Sequence, residues 1–191
     1  YHLYIQDNMK ALEEYQKLID DEYDIVWRVF AIDRMADIYF DFENDYKNSA
    51  EQYKILISFL PKLEKYNFYL FRYGLSLFKS KQYEKASEIF EQIAKDKDNT
   101  YHNAAILERG LIDYVQGKYQ KSVDYWREHK DLVKGSEYVD IIFYMASAYE
   151  HLENLDKAYS LFFSLKSVYP DIKIIEAKLD AIYKRRINGR R

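Results

Sequence analysis

An all-α fold of about ten stacked helices is predicted, and two observations predict it. The chain has only 2 Pro and 5 Gly in 191 residues, and helix interiors exclude both residues while strands and tight turns lean on them. A small residue also recurs at Gly74, Gly110 and Ala146, each 36 residues from the next. Nine, twelve and sixteen residues later stand Tyr83, Ala86 and Phe90, then Tyr119, Ser122 and Trp126, then Leu155, Ala158 and Phe162. Small, large, small and aromatic residues kept in one register are the mark of a repeated helical hairpin.

Packing explains the order. A Gly or Ala in the first helix lets its partner approach closely, and Ala or Ser makes the same room on the facing helix. The aromatic residue four positions later lies one turn along on that face and fills the gap. A helical Gly costs about 1 kcal/mol relative to Ala, so packing has to offset Gly74 and Gly110.

In chain order the predicted helices are 3–20, 25–42, 45–60, 66–80, 83–95, 100–116, 119–133, 136–152, 155–168 and 171–186. The turns at Lys81–Gln82, Gly117–Lys118 and Glu153–Asn154 are short. An earlier copy, Tyr46, Ser49, Tyr53, Leu56 and Pro61, keeps the spacings of Leu155, Ala158, Phe162, Leu165 and Pro170. Its first helix, with Ala36 and Tyr39, needs one extra residue, expected in the turn near Glu43–Asp45. Met9 to Ile19 reads as another second helix, with Ala11, Tyr15 and Leu18 at matching places. Asp171 caps a last helix whose Ile174, Ile175, Leu179 and Ile182 fall mostly on one face.

These residues resemble the tetratricopeptide repeat signature: small, aromatic, Ala, aromatic, small, then Pro. The best copy reads Ala146, Tyr149, Leu155, Ala158, Phe162, Leu165 and Pro170. The copy at Gly74 has Asp98 in place of Pro, and the copy at Gly110 departs at Asp113, Ser122 and His129. The resemblance implies a right-handed α-solenoid. No linker divides the chain, so 1–191 is read as one domain. It comprises an N-terminal helix (1–24), a degenerate repeat (25–66), repeats over 67–102, 103–138 and 139–170, and a capping helix and tail (171–191).

The signature residues serve packing, so function has to come from the positions they leave free. In tetratricopeptide proteins these are first-helix positions lining a concave surface, and the resemblance places the partner-binding residues there. In register they are Phe68, Phe71, Arg72, Leu75 and Phe78, then Leu107, Leu111 and Tyr114, then Phe143, Tyr144 and Ser147. The Lys, Arg and Asn set that clamps a peptide carboxylate in some members is absent. The face is apolar and aromatic, suited to an amphipathic helix or an apolar segment of another protein. The competing reading has the groove filled by the chain's own helices.

Other chemistries find little support in the sequence. There is no Cys, which excludes disulfides, thiolate metal sites and thiol nucleophiles. His2, His102, His129 and His151 share no ligand spacing. Asp20, Asp21, Glu22 and Asp24 lack a calcium-loop pattern and read as a solvated turn. No Ser stands in a nucleophile motif and no Gly-rich loop could cradle phosphate. The expectation is no catalytic residue, metal, cofactor or membrane span.

Charge is uneven. Residues 1–60 hold 13 acids against 6 bases, a balance of −7, and residues 171–191 hold 3 against 7, a balance of +4. The cations Lys184, Arg185, Arg186, Arg190 and Arg191 suit a helix C-terminus, and the acidic balance elsewhere argues against nucleic acid. A homo-oligomer joined through the acidic and basic ends is the alternative to partner binding. Short aromatic-rich repeats and the Tyr169-Pro170-Asp171 ending resemble bacterial envelope proteins of the tetratricopeptide kind. That resemblance implies a periplasmic or outer-membrane-associated role in envelope assembly.

Overall fold

The structure, a computed structural model, describes residues 2–20 and 24–188, with side chains from residue 7 onward. Asp21, Glu22, Arg190 and Arg191, named above, lie outside the described residues. Of the described residues, 80% are helical. Among the described residues ten α-helices run α1 (His2–Asp20), α2 (Ile25–Asp37), α3 (Tyr46–Ser58), α4 (Tyr66–Lys79), α5 (Tyr83–Lys95), α6 (His102–Val115), α7 (Tyr119–His129), α8 (Ser136–His151), α9 (Leu155–Ser164) and α10 (Ile172–Asn188). A π-helical turn, Ile38–Phe42, extends α2, and a 3₁₀ turn, Lys130–Leu132, follows α7.

The repeat is written into the turns as well as the helices. Asn44, Lys81, Gly117 and Glu153 all have positive φ, between 54° and 72°. Each stands two residues before the second helix of its hairpin, which begins at Tyr46, Tyr83, Tyr119 or Leu155. In the last three turns a backbone N–H closes on a carbonyl five residues back: Gln82 on Leu77, Lys118 on Asp113 and Asn154 on Tyr149, at 2.8 to 2.9 Å. This is the hydrogen bond of a left-handed helix cap.

The extra residue of the earliest hairpin lies in the helix and not, as the spacing suggested, in the turn. Glu43 N–H reaches Ile38 O at 3.0 Å, a π bond, and Asp45 N–H reaches Tyr39 O one residue further back than in the other copies. The turn itself is a closed unit. Asn44 supplies the left-handed residue, and the Asp45 carboxylate caps Asn48 N–H at 3.1 Å. A helix absorbs one surplus residue as a π turn more readily than that cap does.

The chain divides into two compact units, residues 1–93 and 94–191. In the first, Ile32, Ala36, Phe40, Tyr53, Leu56 and Tyr69 form a buried cluster between α2, α3 and α4. Phe90 of α5 is fully buried against α4, where a Cβ on Gly74 would stand 2.8 Å from its ring. Tyr15 of α1 meets Phe30 of α2 edge-on at 6.1 Å, much as Tyr53 of α3 meets Phe68 of α4 at 6.5 Å.

In the second unit Ile106, Val123, Trp126, Ile141, Ala146, Ala158, Phe162, Ile175 and Ile182 are all fully buried in one core. A Cβ on Gly110 would overlap the Trp126 indole, so only Gly fits there. The departures at Asp113 and His129 are paired locally. Asp113 takes Arg109 at 2.9 Å, and His129 stacks on Tyr125 at 4.2 Å with Nδ1 2.8 Å from the Tyr125 carbonyl. Asp171 accepts from Lys173 N–H at 3.0 Å and caps α10.

Candidate protein-binding faces

The first unit carries its candidate face on one helix. Phe68, Phe71, Arg72, Leu75 and Phe78 all lie on α4, and all five are half-buried. Phe71 packs on Phe90 at 5.8 Å, and Phe78 on Tyr83 at 6.0 Å. Arg72 is bound from several sides. Its guanidinium lies 3.7 Å over the Phe40 ring, donates to the Tyr53 hydroxyl at 3.0 Å and pairs with Asp41 at 2.6 Å.

Arg72 belongs to a charged seam that the sequence reading missed. Asp33, Asp37 and Asp41 recur four residues apart on α2 and its π turn. Asp33 pairs with Arg34 and Lys65, both at 3.2 Å. Asp37 pairs with Arg34 at 2.9 Å and accepts from the Tyr53 hydroxyl at 2.9 Å. Burial pushes the Tyr53 and Tyr69 phenols well above the ordinary tyrosine range, reinforced at Tyr69 by the negative charge of Asp33. The four-residue recurrence of Asp was the available signal, since it puts three carboxylates on one helical face.

The second unit brings its candidates from two helices together. Leu107, Leu111 and Tyr114 lie on α6, and Phe143, Tyr144 and Ser147 on α8. Tyr114 meets Tyr144 at 5.5 Å and Tyr119 at 5.3 Å. Tyr144 stacks on Trp126 at 6.1 Å, and Phe143 stacks on Tyr169 at 4.9 Å. Ser147 is buried, and the other five are half-buried. Burial, with the neighbouring Tyr119 adding to it, raises the Tyr114 phenol pKa. Burial and Asp140 raise that of Tyr144. At neutral pH both phenols are therefore neutral, and the face presents rings and hydroxyls.

Lys184, Arg185 and Arg186 of the basic end are paired within the second unit. Lys184 takes Asp180 at 2.6 Å, and Arg185 takes Glu150 at 3.1 Å and Glu153 at 2.7 Å. Arg186 takes Asp156 at 2.6 Å and lies over the Tyr159 ring. Among the described residues no helix is long and apolar enough to cross a membrane.

Paired helices of this length, turning on a left-handed residue and locked by small-to-aromatic contacts, define a helical-hairpin repeat protein. A tetratricopeptide repeat model matches residues 69–97, over most of α4 and α5. The fold is similar to BtubC (BKLC) from P. vanneervenii, with TM-score 0.66 and 14% identity over 94% of this chain and 82% of that one. It is also similar to a Podosopora anserina kinesin light chain protein with nearly identical TPR-like repeats (TM-score 0.63, 14% identity, 86% and 88% covered). A tetratricopeptide repeat protein from Parabacteroides merdae gives TM-score 0.58 and 12% identity over 95% of this chain and 67% of that one. No curated protein matches the sequence. The fold is thus that of tetratricopeptide repeats, which generally mediate protein–protein interaction.

Proposed function

We propose that the protein is a non-catalytic scaffold that holds a segment of another protein on the aromatic faces of its first helices. The face in the first unit is α4; in the second it is α6 with α8. One observation carries the reading: Phe68, Phe71, Leu75, Phe78, Leu107, Leu111, Tyr114, Phe143 and Tyr144 stay half-buried, whereas Tyr53, Phe90, Trp126 and Phe162 of the signature are fully buried. Their ring edges remain partly open, and half-open rings are the side chains that dominate protein interfaces. Arg72, held by its own neighbours, and the buried Ser147 set the shape of the faces more than they offer contacts. The single-domain reading of 1–191 and the envelope location implied by the sequence resemblance belong to this proposal.

Capture of a partner from native-cell lysate tests it. The double variant Phe78→Ala, Tyr114→Ala loses the captured protein while helical circular dichroism is retained. Equal capture by a folded double variant overturns the reading. The alternative, self-association through acidic and basic ends, rests on the charge balance of −7 against +4. It ranks second because Lys184, Arg185 and Arg186 already hold acids of their own unit. Sedimentation at two salt concentrations separates them, since only the alternative gives a salt-sensitive oligomer without a ligand.

A further inference from the structure

We infer that the second unit carries another docking site, away from the faces above, for a short acidic and apolar segment of a partner protein. The site is a pocket of about 390 Å³ walled by α7, α8 and α9. Its apolar surface comes from Met145, Tyr149 and Leu161, and its rim from Arg127, Lys130, Lys157, Asp156 and Ser160. The volume sits at the small end of the range for ligand sites, about 300–1,000 Å³. It suits one or two large side chains and not a whole helix.

Charge selects the occupant. Three cations and one carboxylate rim the pocket, and that carboxylate, Asp156, is held by Arg186 at 2.6 Å. The Lys157 ammonium lies 5.1 Å from the centroid of Tyr149, with no carboxylate in ion-pair range among the described residues. Arg127 and Lys130 pair with Asp124 at 2.7 Å and Asp131 at 2.6 Å. The Arg127 and Asp131 side chains are largely exposed and those of Asp124 and Lys130 partly so, and pairs of that kind are weak enough to exchange for an incoming carboxylate. A basic segment would face three like charges and offer none of them a partner.

Two neighbouring pockets lack this bias. The one lined by Glu153, Asp156, Arg185 and Arg186 has its charges cancelled by mutual ion pairs. The one between α9 and α10 mixes Lys166 with Glu176 and Asp180. Only the α7–α8–α9 pocket of these three combines an apolar floor with an excess of one sign. Met145 adds an adaptable side chain to that floor, able to fit more than one apolar shape. The occupant is therefore a peptide segment with a large apolar side chain seated on Met145, Tyr149 and Leu161, and acidic residues beside it at Lys157, Arg127 and Lys130.

Fluorescence anisotropy with three labelled peptides tests this. They are Glu-Asp-Leu-Phe-Glu-Asp, the same core flanked by Lys, and the acidic flanks around Gly-Gly. The account expects saturable binding of the first alone, weakened at least about tenfold by Ser160→Trp, which plugs the pocket, and by Lys157→Glu. Both sites are exposed on α9, and unchanged melting temperatures certify the fold. No binding of the acidic apolar peptide at millimolar concentration overturns the inference. Equal binding of the basic peptide, or indifference to both substitutions, does the same. Phe78→Ala with Tyr114→Ala leaves this binding unchanged, so the inference and the proposed function fail separately.

Discussion

The two units use one hairpin design and hold it together by different means. In residues 1–93 a seam of Asp33, Asp37 and Asp41 against Arg34, Lys65 and Arg72 runs beside the apolar cluster, with the Tyr53 hydroxyl bonded into it. In residues 94–191 the same job falls to rings: Trp126 against Gly110, Tyr114 and Tyr144, and Phe143 between Phe162 and Tyr169. The repeat therefore specifies where helices approach and leaves open what cements the approach. A face cemented by rings leaves aromatic edges for a partner, while one cemented by charge holds its Arg in place.

The comparison predicts an order of effects. Trp126→Ala opens a cavity in the second core and costs about 4 kcal/mol in denaturant unfolding. A loss below about 1 kcal/mol would show that the ring is not the cement. Gly110→Ala follows, losing about 2 kcal/mol because the new methyl overlaps the indole. Gly74→Ala costs less, since there the methyl stands 2.8 Å from the Phe90 ring edge and 3.1 Å from Ile89 Cγ2, against outright overlap with the indole at Gly110. Equal melting shifts for the two glycine variants would remove the distinction between the units.

Arg72→Ala comes next. It strips a donor from the buried Tyr53 hydroxyl and a cation from Asp41, at about 1–2 kcal/mol. High salt masks little of that loss, because the Arg72 guanidinium is half-buried and screening acts mainly on exposed pairs. The smallest effect is alkaline. Tyr53 and Tyr69 have phenol pKa values raised by burial in the fold, so the folded chain keeps protons that the unfolded chain gives up near pH 10. Their contribution is complete below pH ~10 and is lost as pH rises through the higher folded values. Melting temperature therefore falls above pH ~10, and Tyr53→Phe softens that fall. An unchanged alkaline slope in Tyr53→Phe would contradict it.

Much of this was legible in the residues. The register of Gly74, Gly110 and Ala146 placed the hairpins of both units, and all ten predicted helices have observed counterparts. Their ends moved by one or two residues at most positions. α9 stops at Ser164, short of the predicted 168, and α7 gives way to a 3₁₀ turn at Lys130. The extra residue before Tyr46 was counted correctly and put in the wrong place, because spacing records a surplus without saying whether helix or turn absorbs it. The candidate faces were nameable from the register. That Arg72 is held by Asp41 and Tyr53 was not, since Asp41 lies 31 residues away in sequence and joins the face only through the π turn. The cationic pocket draws on three helices, and no single-helix pattern announces it.

The most direct test of the partner-binding claim is site-specific photo-crosslinking in the native cell. A benzoylphenylalanine replaces Phe78 on α4 or Tyr114 on α6, with one at exposed Lys54 of α3 as the control. The account predicts a discrete adduct with another protein from positions 78 and 114 and none from 54. An adduct from 54 alone, or none from either face in folded variants, would contradict it.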